Sequence, residues 1–357
     1  MTATASSSAA AAFPKPIWVR SDDWHTAGEP FRIVSELPEQ CTTTGSTVME
    51  RRLNIMATPN HPLDVLRRGL CLEPRGHADM YGGFIVPPND SGAAFGVLFW
   101  HKDGFSTACG HGTIALGCWA IATGLVKPKQ ADGVTDVVID VPSGRVVAAV
   151  RTEGGKPVSV DFINVPSYLV ASGIKVPVKS RGIDVVADLS YGGALYGYVD
   201  VAGLGMKVRP QDHDEFVSLG REIKAALKST AAEHGHDYLY GVCFYEPLSE
   251  EGGELHQRNV VVYAEGAVDR SPCGSGTSAR TAMLFAQGKL GLGKGHLHHA
   301  SIINTVFVAS VDAEAASPTK FPGCVPRITG MAHLMGRSEF YLDNADPTFP
   351  GFVFRPE

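Results

Sequence analysis

The sequence lacks the features that mark nucleic-acid-binding and membrane proteins. Acidic residues outnumber basic ones, 37 against 31, and the net charge of −6 leaves no basic stripe for nucleic acid or an anionic membrane. No apolar run approaches the ~20 residues that a membrane span requires. The N-terminus, MTATASSSAAAAFPKP, has neither a basic start nor a Leu/Val block, unlike a signal peptide. We therefore expect a cytoplasmic protein, with residues 1–15 as a disordered extension.

A disulfide framework and a metal-binding framework are also missing from the pattern. The 7 cysteines are odd in number and scattered, with no export signal, which indicates free thiols in a reducing compartment. The run His296-Leu297-His298-His299 invites a metal interpretation, but no second cluster with ligand spacing accompanies it. We interpret this run as a solvated loop or a strand edge. The sequence predicts no metal and no other cofactor.

The length of 357 residues suits two domains of about 150–170 residues better than a single core. Short β-rich runs bounded by Gly, Pro, Asn or Asp dominate the chain. Apolar residues at helical spacing predict helices over 109–125, 212–234 and 274–287. The first and last of these segments are mostly apolar, as expected for helices wrapped by sheet. The predicted fold class is α+β.

The predicted architecture has two pseudo-symmetric lobes, each a sheet wrapped around one central helix. The N-terminal lobe is expected to span residues 16–166 and the C-terminal lobe residues 167–342, with the boundary near Val165-Pro166. Residues 343–357 are expected to return to the first lobe. A functional site is predicted in the cleft between the lobes.

One pattern occurs twice in the chain. Residues 106–115 read STACGHGTIA and residues 270–279 read RSPCGSGTSA, so both contain Cys-Gly-x-Gly-Thr. Each copy follows a run with strand character and opens a run with helix character. An aromatic residue precedes each cysteine by ten positions. The matched residues are Cys109 with Cys273, and Phe99 with Tyr263.

This repeat suits acid–base chemistry at a carbon atom. The first turn of a helix has unpaired N–H groups and the positive end of the macrodipole. A cysteine there is expected to have a pKa that falls towards neutrality, and the N–H groups can hold a carboxylate. Two thiols facing one pocket would remove a proton from one face of a carbon and return it on the other. In the expected carboxylate cradle, Gly110, Gly112, Gly274 and Gly276 leave room for the anion, and Thr113 and Thr277 can add hydroxyl donors.

Four motifs in this order resemble the proline racemase family. They are HTAGEP at 25–30, EPRGHADM at 73–80, ACGHGTIA around Cys109 and DRSPCGSG at 269–276. The resemblance covers nearly the whole chain after about residue 17 and implies a diaminopimelate-epimerase-like fold. Ala27 departs from the family, which more often has glycine there, and we expect only a local backbone effect.

The resemblance also implies a role for each matched residue. Cys109 and Cys273 would be the two acid–base thiols. His111 and Asp269 would contact the substrate amine and help to set the ionisation of the thiols. The lining of the side-chain pocket would comprise Tyr81, Phe99 and Tyr263.

The substrate and the reaction stay open at this point. Tyr81 and Tyr263 carry hydroxyls that would bond a hydroxyproline, or would reach water or backbone instead. The segments DMYGG, VLFWHKDGFSTACGHG and AIATGLV are similar to those of trans-3-hydroxy-L-proline dehydratases, which usually carry Thr where this chain has Cys273. A dehydratase needs one base and a racemase needs two, so Cys273 favours stereoinversion.

The sequence therefore predicts a cofactor-independent racemase or epimerase of proline or hydroxyproline. Dehydration of trans-3-hydroxy-L-proline is the alternative, and one chain with both cysteines would be able to do both reactions. A protein that binds an amino acid without chemistry is the alternative of another class. The expected partner is a small-molecule substrate rather than nucleic acid or a membrane, and a homodimer is one oligomeric state that the prediction includes.

Overall fold

The computed structural model describes residues 12–354, so most of the predicted N-terminal extension lies outside the described residues. Within the extension, Phe13 is buried, and its carbonyl accepts a hydrogen bond from the Asn344 amide at 2.9 Å. We therefore propose that the first lobe begins before residue 16. In residues 12–354, no helix is both long enough and apolar enough to cross a membrane.

The first part of the described chain contains a mixed sheet and three helices. The elements in order are β1 (Ile17–Thr26), β2 (Glu29–Val34), α1 (Val48–Ala57), α2 (Pro62–Cys71), β3 (Tyr81–Val86), β4 (Phe95–His101), β5 (Gly104–Phe105), α3 (Gly110–Ala122), β6 (Gly133–Val141), β7 (Gly144–Glu153) and β8 (Lys156–Ile163).

The second part repeats this plan with a longer outer helix. Its elements are β9 (Ser167–Val178), β10 (Ile183–Tyr191), β11 (Leu195–Asp200), the 3₁₀ turns Val201–Leu204 and Pro210–Asp212, α4 (His213–Glu233), β12 (Gly241–Glu251), β13 (Glu254–Tyr263), β14 (Ala267–Asp269), α5 (Gly274–Ala286), β15 (His296–Ala300), β16 (Val306–Ala315), β17 (Gly323–Gly330) and β18 (Ala332–Leu342).

Each lobe is a sheet that curves around one buried helix. In the first lobe, β18, β1, β2, β3, β4, β6, β7 and β8 are joined in this order and pack around α3. In the second, β9 to β13 continue through β15, β16 and β17, and β17 pairs again with β9 around α5. The pairing of β17 with β8 joins the lobes. The predicted two-lobe α+β fold is confirmed.

The central helix α3 is buried because it is apolar nearly all round, whereas α5 also buries Ser, Thr and Arg side chains that are hydrogen-bonded inside the protein. Every residue of α3 from Gly110 to Ile121 is buried, as is every residue of α5 from Gly274 to Leu284. The amphipathic helix α4 instead covers the outside of β9, β12 and β13. Its buried side chains are Phe216, Leu219, Ile223, Leu227 and Ala231.

Two helices of the first lobe were not predicted by apolar periodicity. The start of α1 carries a capping box in which Thr47 and Glu50 satisfy each other's backbone N–H groups. The start of α2 follows His61, which accepts a hydrogen bond from the backbone of Leu63. Both helices have ten residues. The period of α2 was nevertheless a usable signal, because Leu63, Leu66 and Leu70 recur at helical spacing and are buried.

Strand β18 bears on the proposed point at which the chain leaves the second lobe and returns to the first. This strand pairs antiparallel with β1 along its length, from Ala332 opposite Thr26 to Leu342 opposite Ile17. After it, Phe349 is buried with Leu66 of α2 in one apolar cluster. We therefore propose that the chain returns to the first lobe at β18 rather than at residue 343.

Candidate active site

The two repeated cysteines begin the two central helices. Cys109 caps α3 with extended backbone, and its Sγ accepts a hydrogen bond from the N–H of Gly112 at 3.2 Å. Cys273 caps α5, and its Sγ accepts from the N–H of Gly276 at 3.3 Å. Both cysteines are 5% exposed and both thiols are free. A thiol-capped helix start is therefore present in both lobes, although the backbone of the two caps differs, with φ of −155° at Cys109 and 62° at Cys273.

The two helix starts touch each other across the lobes. A Cβ built on Gly110 would lie 2.5 Å from the Cα of Gly274, and one built on Gly274 would lie 2.6 Å from the Cα of Gly110. Gly112 and Gly276 leave space for the two thiols. A Cβ built on Gly112 would lie 2.7 Å from the Sγ of Cys109, and one built on Gly276 would lie 3.0 Å from the Sγ of Cys273. Two positive helix ends therefore converge where a carboxylate can bind.

Burial opposes ionisation of both thiols. It raises the pKa of Cys109 and of Cys273 well above the usual cysteine value, although the N–H of Gly112 or Gly276 lowers each one in part. The expected fall of the thiol pKa towards neutrality is therefore wrong for this structure. The helix start supplies too little to offset the loss of water around the sulfur.

The two predicted amine contacts lie beside the two thiols. His111 Nδ1 is 3.5 Å from the Sγ of Cys109, and burial lowers the pKa of His111 to about 3, which leaves the ring neutral. Burial raises the pKa of Asp269 to about 6, although hydrogen bonds from Ser271 and Cys273 lower it in part. Ser271 also accepts the backbone N–H of Cys273 at 3.0 Å, so Asp269 and Cys273 share a rigid turn.

The structure brings two of the three predicted aromatic lining residues together. The rings of Tyr81 and Tyr263 are 5.9 Å apart. Phe99 is fully buried and contacts Phe31, which lies between Phe99 and Tyr81 at 6.0 and 6.4 Å.

The two tyrosine hydroxyls are in different situations. Tyr81 Oη is hydrogen-bonded to Ser106 Oγ at 2.5 Å and to Tyr240 Oη at 2.9 Å. Tyr263 stacks on Tyr240 with ring centres 5.5 Å apart, and its buried hydroxyl has no hydrogen-bond partner within residues 12–354. Of these two hydroxyls in the described chain, that of Tyr263 is therefore the one free to bond a polar group of a ligand.

Thr277 makes its hydrogen bonds inside the second lobe. Its hydroxyl donates to the carbonyl of Pro272 at 2.9 Å and lies 2.9 Å from Nδ1 of His299. These contacts engage the hydroxyl away from α3, so its place in the carboxylate cradle stays a prediction.

The histidine run lies on β15, between β13 and β16, and its side chains have protein partners. His296 and His298 both contact Glu254, at 2.9 and 2.6 Å. His299 is buried and contacts Asn259 and Thr277. The interpretation as a solvated loop or a strand edge is therefore wrong, because β15 is an inner strand whose Leu297 and His299 are buried.

Sequence reasoning missed several residues around the thiols. Tyr196 accepts a hydrogen bond from the Cys273 thiol at 3.7 Å and contacts Ser275 Oγ at 2.7 Å. The alternation in LYGYV, which places Tyr196 and Tyr198 on one face of β11, was a usable signal. Tyr240 lies just before β12 begins at Gly241, and it joins the site through its contacts with Tyr81 and Tyr263.

The comparisons with known proteins agree with this geometry. The family model described as proline racemase matches residues 22–353. The chain belongs to the proline racemase family. This confirms the resemblance that the four motifs indicated, and it makes the chain an enzyme of a family whose named relatives include an epimerase and dehydratases.

Three similar proteins show the range of the family. A trans-3-hydroxy-L-proline dehydratase of Burkholderia cenocepacia is 39% identical over 337 residues, covering 93% of this chain and 96% of that protein. A 3-hydroxyproline 2-epimerase of Burkholderia multivorans is 38% identical with the same coverage. The crystal structure of a hydroxyproline epimerase from Agrobacterium vitis with bound trans-4-OH-L-proline is 26% identical, with a TM-score of 0.82 over 94% of this chain and 96% of that one.

Proposed function

We propose that this enzyme inverts Cα of proline or hydroxyproline by a two-thiol mechanism that uses no cofactor. The observation that carries the proposal is the contact between Gly110 and Gly274, which joins two thiol-capped helix starts at one point. A single carboxylate bound there would have one sulfur from each lobe beside its Cα.

The reaction needs one thiolate and one thiol. The thiolate takes the Cα proton from one face, the electron pair moves into the carboxylate, and the opposite thiol then protonates Cα from the other face. Backbone N–H groups at the two helix starts would stabilise the charge that develops on the carboxylate oxygens. The thiols exchange roles when the opposite stereoisomer is the substrate.

The ammonium group of the substrate would lower the pKa of the buried thiols. Burial raises the pKa of Cys109 and Cys273, so a thiolate there requires a nearby cation. An amine held between Asp269 and the neutral ring of His111 would supply that charge next to both sulfurs. Ionisation of a thiol is then coupled to binding of the correct substrate.

A hydroxylated ring fits the pocket better than an unsubstituted one. The Tyr263 hydroxyl is buried without a partner in the described chain, and leaving such a group unpaired costs free energy. A ring hydroxyl would satisfy it, whereas the ring of proline would not. The Tyr81 hydroxyl is already paired with Ser106 and Tyr240, so we assign the recognition of a ring hydroxyl to Tyr263.

Dehydration of trans-3-hydroxy-L-proline is the second candidate. Several relatives at 35–39% identity carry that name, and the epimerase named for 3-hydroxyproline is equally similar at 38%. In this reaction a single thiolate removes the Cα proton and a double bond forms between Cα and C3. The C3 hydroxyl leaves as water with the proton that the thiol has gained, and the enamine product then tautomerises to the cyclic imine. Cys273 would then not be needed as a base.

Proton NMR in D₂O distinguishes the two reactions. Reduced enzyme is incubated separately with L-proline, trans-4-hydroxy-L-proline and trans-3-hydroxy-L-proline. Loss of the Cα signal with growth of the inverted stereoisomer supports the proposal and identifies the ring. Consumption of the 3-hydroxy compound alone, with growth of cyclic imine signals, contradicts it in favour of dehydration.

A further inference from the structure

The tight turn between β1 and β2 contacts the site-forming parts of both lobes. On the side of the first lobe, Thr26 Oγ1 donates to the carbonyl of His111 at 2.8 Å, in the first turn of α3. On the side of the second lobe, Glu29 Oε2 accepts the backbone N–H of Arg270 at 2.8 Å and its guanidinium at 3.1 Å. One turn of four residues therefore links the surroundings of both thiols.

Two further contacts fix the middle of the same turn against the second lobe. The carbonyl of Ala27 accepts a hydrogen bond from Thr305 Oγ1 at 2.8 Å. A Cβ built on Gly28 would lie 2.5 Å from Cδ1 of Ile303. Ala27 and Gly28 have φ of 53° and 93°, the left-handed conformations of a tight hairpin turn. The turn is therefore fixed from both sides.

A short chain of bonds connects Glu29 to the second thiol. Arg270, which Glu29 binds, directly follows Asp269. Asp269 accepts the N–H and the hydroxyl of Ser271 at 2.8 and 2.7 Å, and Ser271 accepts the N–H of Cys273. Movement of Arg270 would therefore be transmitted to Cys273 within one turn.

The chemistry of Glu29 argues against a role in stability alone. The side chain is completely buried, and its Oε1 has no hydrogen-bond partner within residues 12–354. Burial and the nearby Asp269 raise the pKa of Glu29, and Arg270 lowers it in part. A buried carboxyl of this kind costs free energy, and apolar residues of similar volume often replace a buried ion pair without loss of stability. Its presence therefore requires another reason.

We propose that the turn Thr26–Glu29 aligns the two thiol-bearing helix starts, and that Glu29 is a positioning residue which places Cys273 relative to Cys109. Thr26 holds the start of α3, and Glu29 holds the 269–273 turn through Arg270. This inference rests on the proposed two-thiol function, because only a reaction that uses both sulfurs requires their relative position to be fixed.

We expect Glu29→Ala to separate exchange of the Cα proton from inversion of Cα, two events that are coupled in the native enzyme. The Cys109 side keeps its own hydrogen bonds and still exchanges the Cα proton with deuterium. Return of a proton from the misplaced Cys273 becomes slow, so exchange with retained configuration rises relative to inversion by about tenfold or more. The substrate for this test is the stereoisomer whose proton Cys109 removes. Chiral chromatography measures its inversion, and mass spectrometry measures its deuterium exchange.

A second readout does not depend on catalysis. Glu29→Ala removes the acceptor for the N–H of Arg270, so amides in the segment 268–273 should lose protection in hydrogen–deuterium exchange. The matched control is Glu254→Gln, a change on the outside of the second lobe at a carboxylate that contacts His296 and His298. This control should leave both the exchange ratio and the protection of 268–273 unchanged.

The outcomes separate this inference from the proposed function. Native enzyme that shows no inversion contradicts the proposed function, while the protection of 268–273 still tests the alignment. A variant with native protection and a native exchange ratio, or one in which exchange and inversion fall in equal proportion, overturns the alignment. If Glu29→Ala does not fold, two milder variants test the same turn. Glu29→Gln weakens the contact with Arg270, and Thr305→Val removes the hydrogen bond to the carbonyl of Ala27. Both should show the same change to a smaller extent.

Discussion

Gly110 and Gly274 lie in backbone contact across the two lobes, so close that neither position has room for a methyl group. The distance between the helix starts is therefore set by the absence of two side chains. Because Cys109 and Cys273 each precede one of these glycines, the same contact sets the relative position of the two thiols. The geometry of the proposed reaction depends on it directly.

We predict that Gly110→Ala reduces kcat/KM by about 100-fold, because the added methyl group must push α3 and α5 apart at the reacting centre. Stopped assays of inversion with the preferred ring would measure the loss. The matched control is Gly336→Ala on β18, where a Cβ would meet nothing within 4 Å. Native activity in Gly110→Ala would show that the close contact is not needed for catalysis.

Cys273→Ser is predicted to lower the rate of inversion by about 10²–10⁴-fold, since serine is a far weaker acid–base group than cysteine. Deuterium exchange at Cα should persist for the stereoisomer whose proton faces Cys109. Serine is preferable to threonine here because Cys273 has a φ of 62°, a conformation in which a β-branched residue is strained. A variant that inverts at the native rate would contradict the two-thiol mechanism.

The local parts of the site were predictable because they are local. The Cys-Gly-x-Gly-Thr repeat indicates where the two helices start, that a cysteine precedes each start, and that glycine is needed where a side chain would clash. The structure has all three features. The helix predicted over 212–234 is observed as His213–Glu233 because its apolar residues keep one period for almost six turns.

The parts that were missed depend on residues far apart in the chain. Glu29 meets Arg270 across 241 positions and Tyr81 meets Tyr240 across 159, and no local periodicity encodes such pairs. The thiol pKa was predicted in the wrong direction for a related reason. The helix start is visible in the sequence, whereas the burial that outweighs it is a property of the assembled lobes.

The two tyrosines of the pocket provide a paired test of substrate recognition. We predict that Tyr263→Phe lowers kcat/KM for the preferred hydroxyproline by about five- to thirtyfold, through loss of about 1–2 kcal/mol of hydrogen bonding, and leaves activity on proline nearly unchanged. The folded state should keep or gain stability, since the removed hydroxyl has no partner in the described chain. Kinetics with both rings and thermal unfolding measure the two effects.

Tyr81→Phe is the control for that test, because its hydroxyl bonds Ser106 and Tyr240. It should destabilise the protein by about 1 kcal/mol or more, since two buried partners lose a bond. It should also affect both rings equally. An equal effect of Tyr263→Phe on proline and hydroxyproline would contradict the assignment of the ring hydroxyl to Tyr263.

Asp269 should make the stability of the enzyme depend on pH in an unusual direction. Burial raises its pKa in the folded protein to about 6, above the ~3.9 of an unfolded aspartate. The folded state therefore binds this proton more tightly, so the contribution of Asp269 to stability is greatest below pH ~4 and falls as the pH rises to about 6. Between these pH values, ionisation of Asp269 should lower the free energy of unfolding by on the order of 2 kcal/mol. We predict that Asp269→Asn removes this loss of stability.

Urea unfolding of native enzyme and Asp269→Asn at several pH values between about 4 and 7.5 measures this difference. The variant should gain stability relative to the native enzyme as the pH rises. It should also lose activity, because the proposed contact of the carboxylate with the substrate amine is removed. Asp184→Asn, at a side chain that is 55% exposed, should show no such gain. A constant difference between native enzyme and Asp269→Asn at all pH values would mean that Asp269 ionises in the folded state as it does in the unfolded chain.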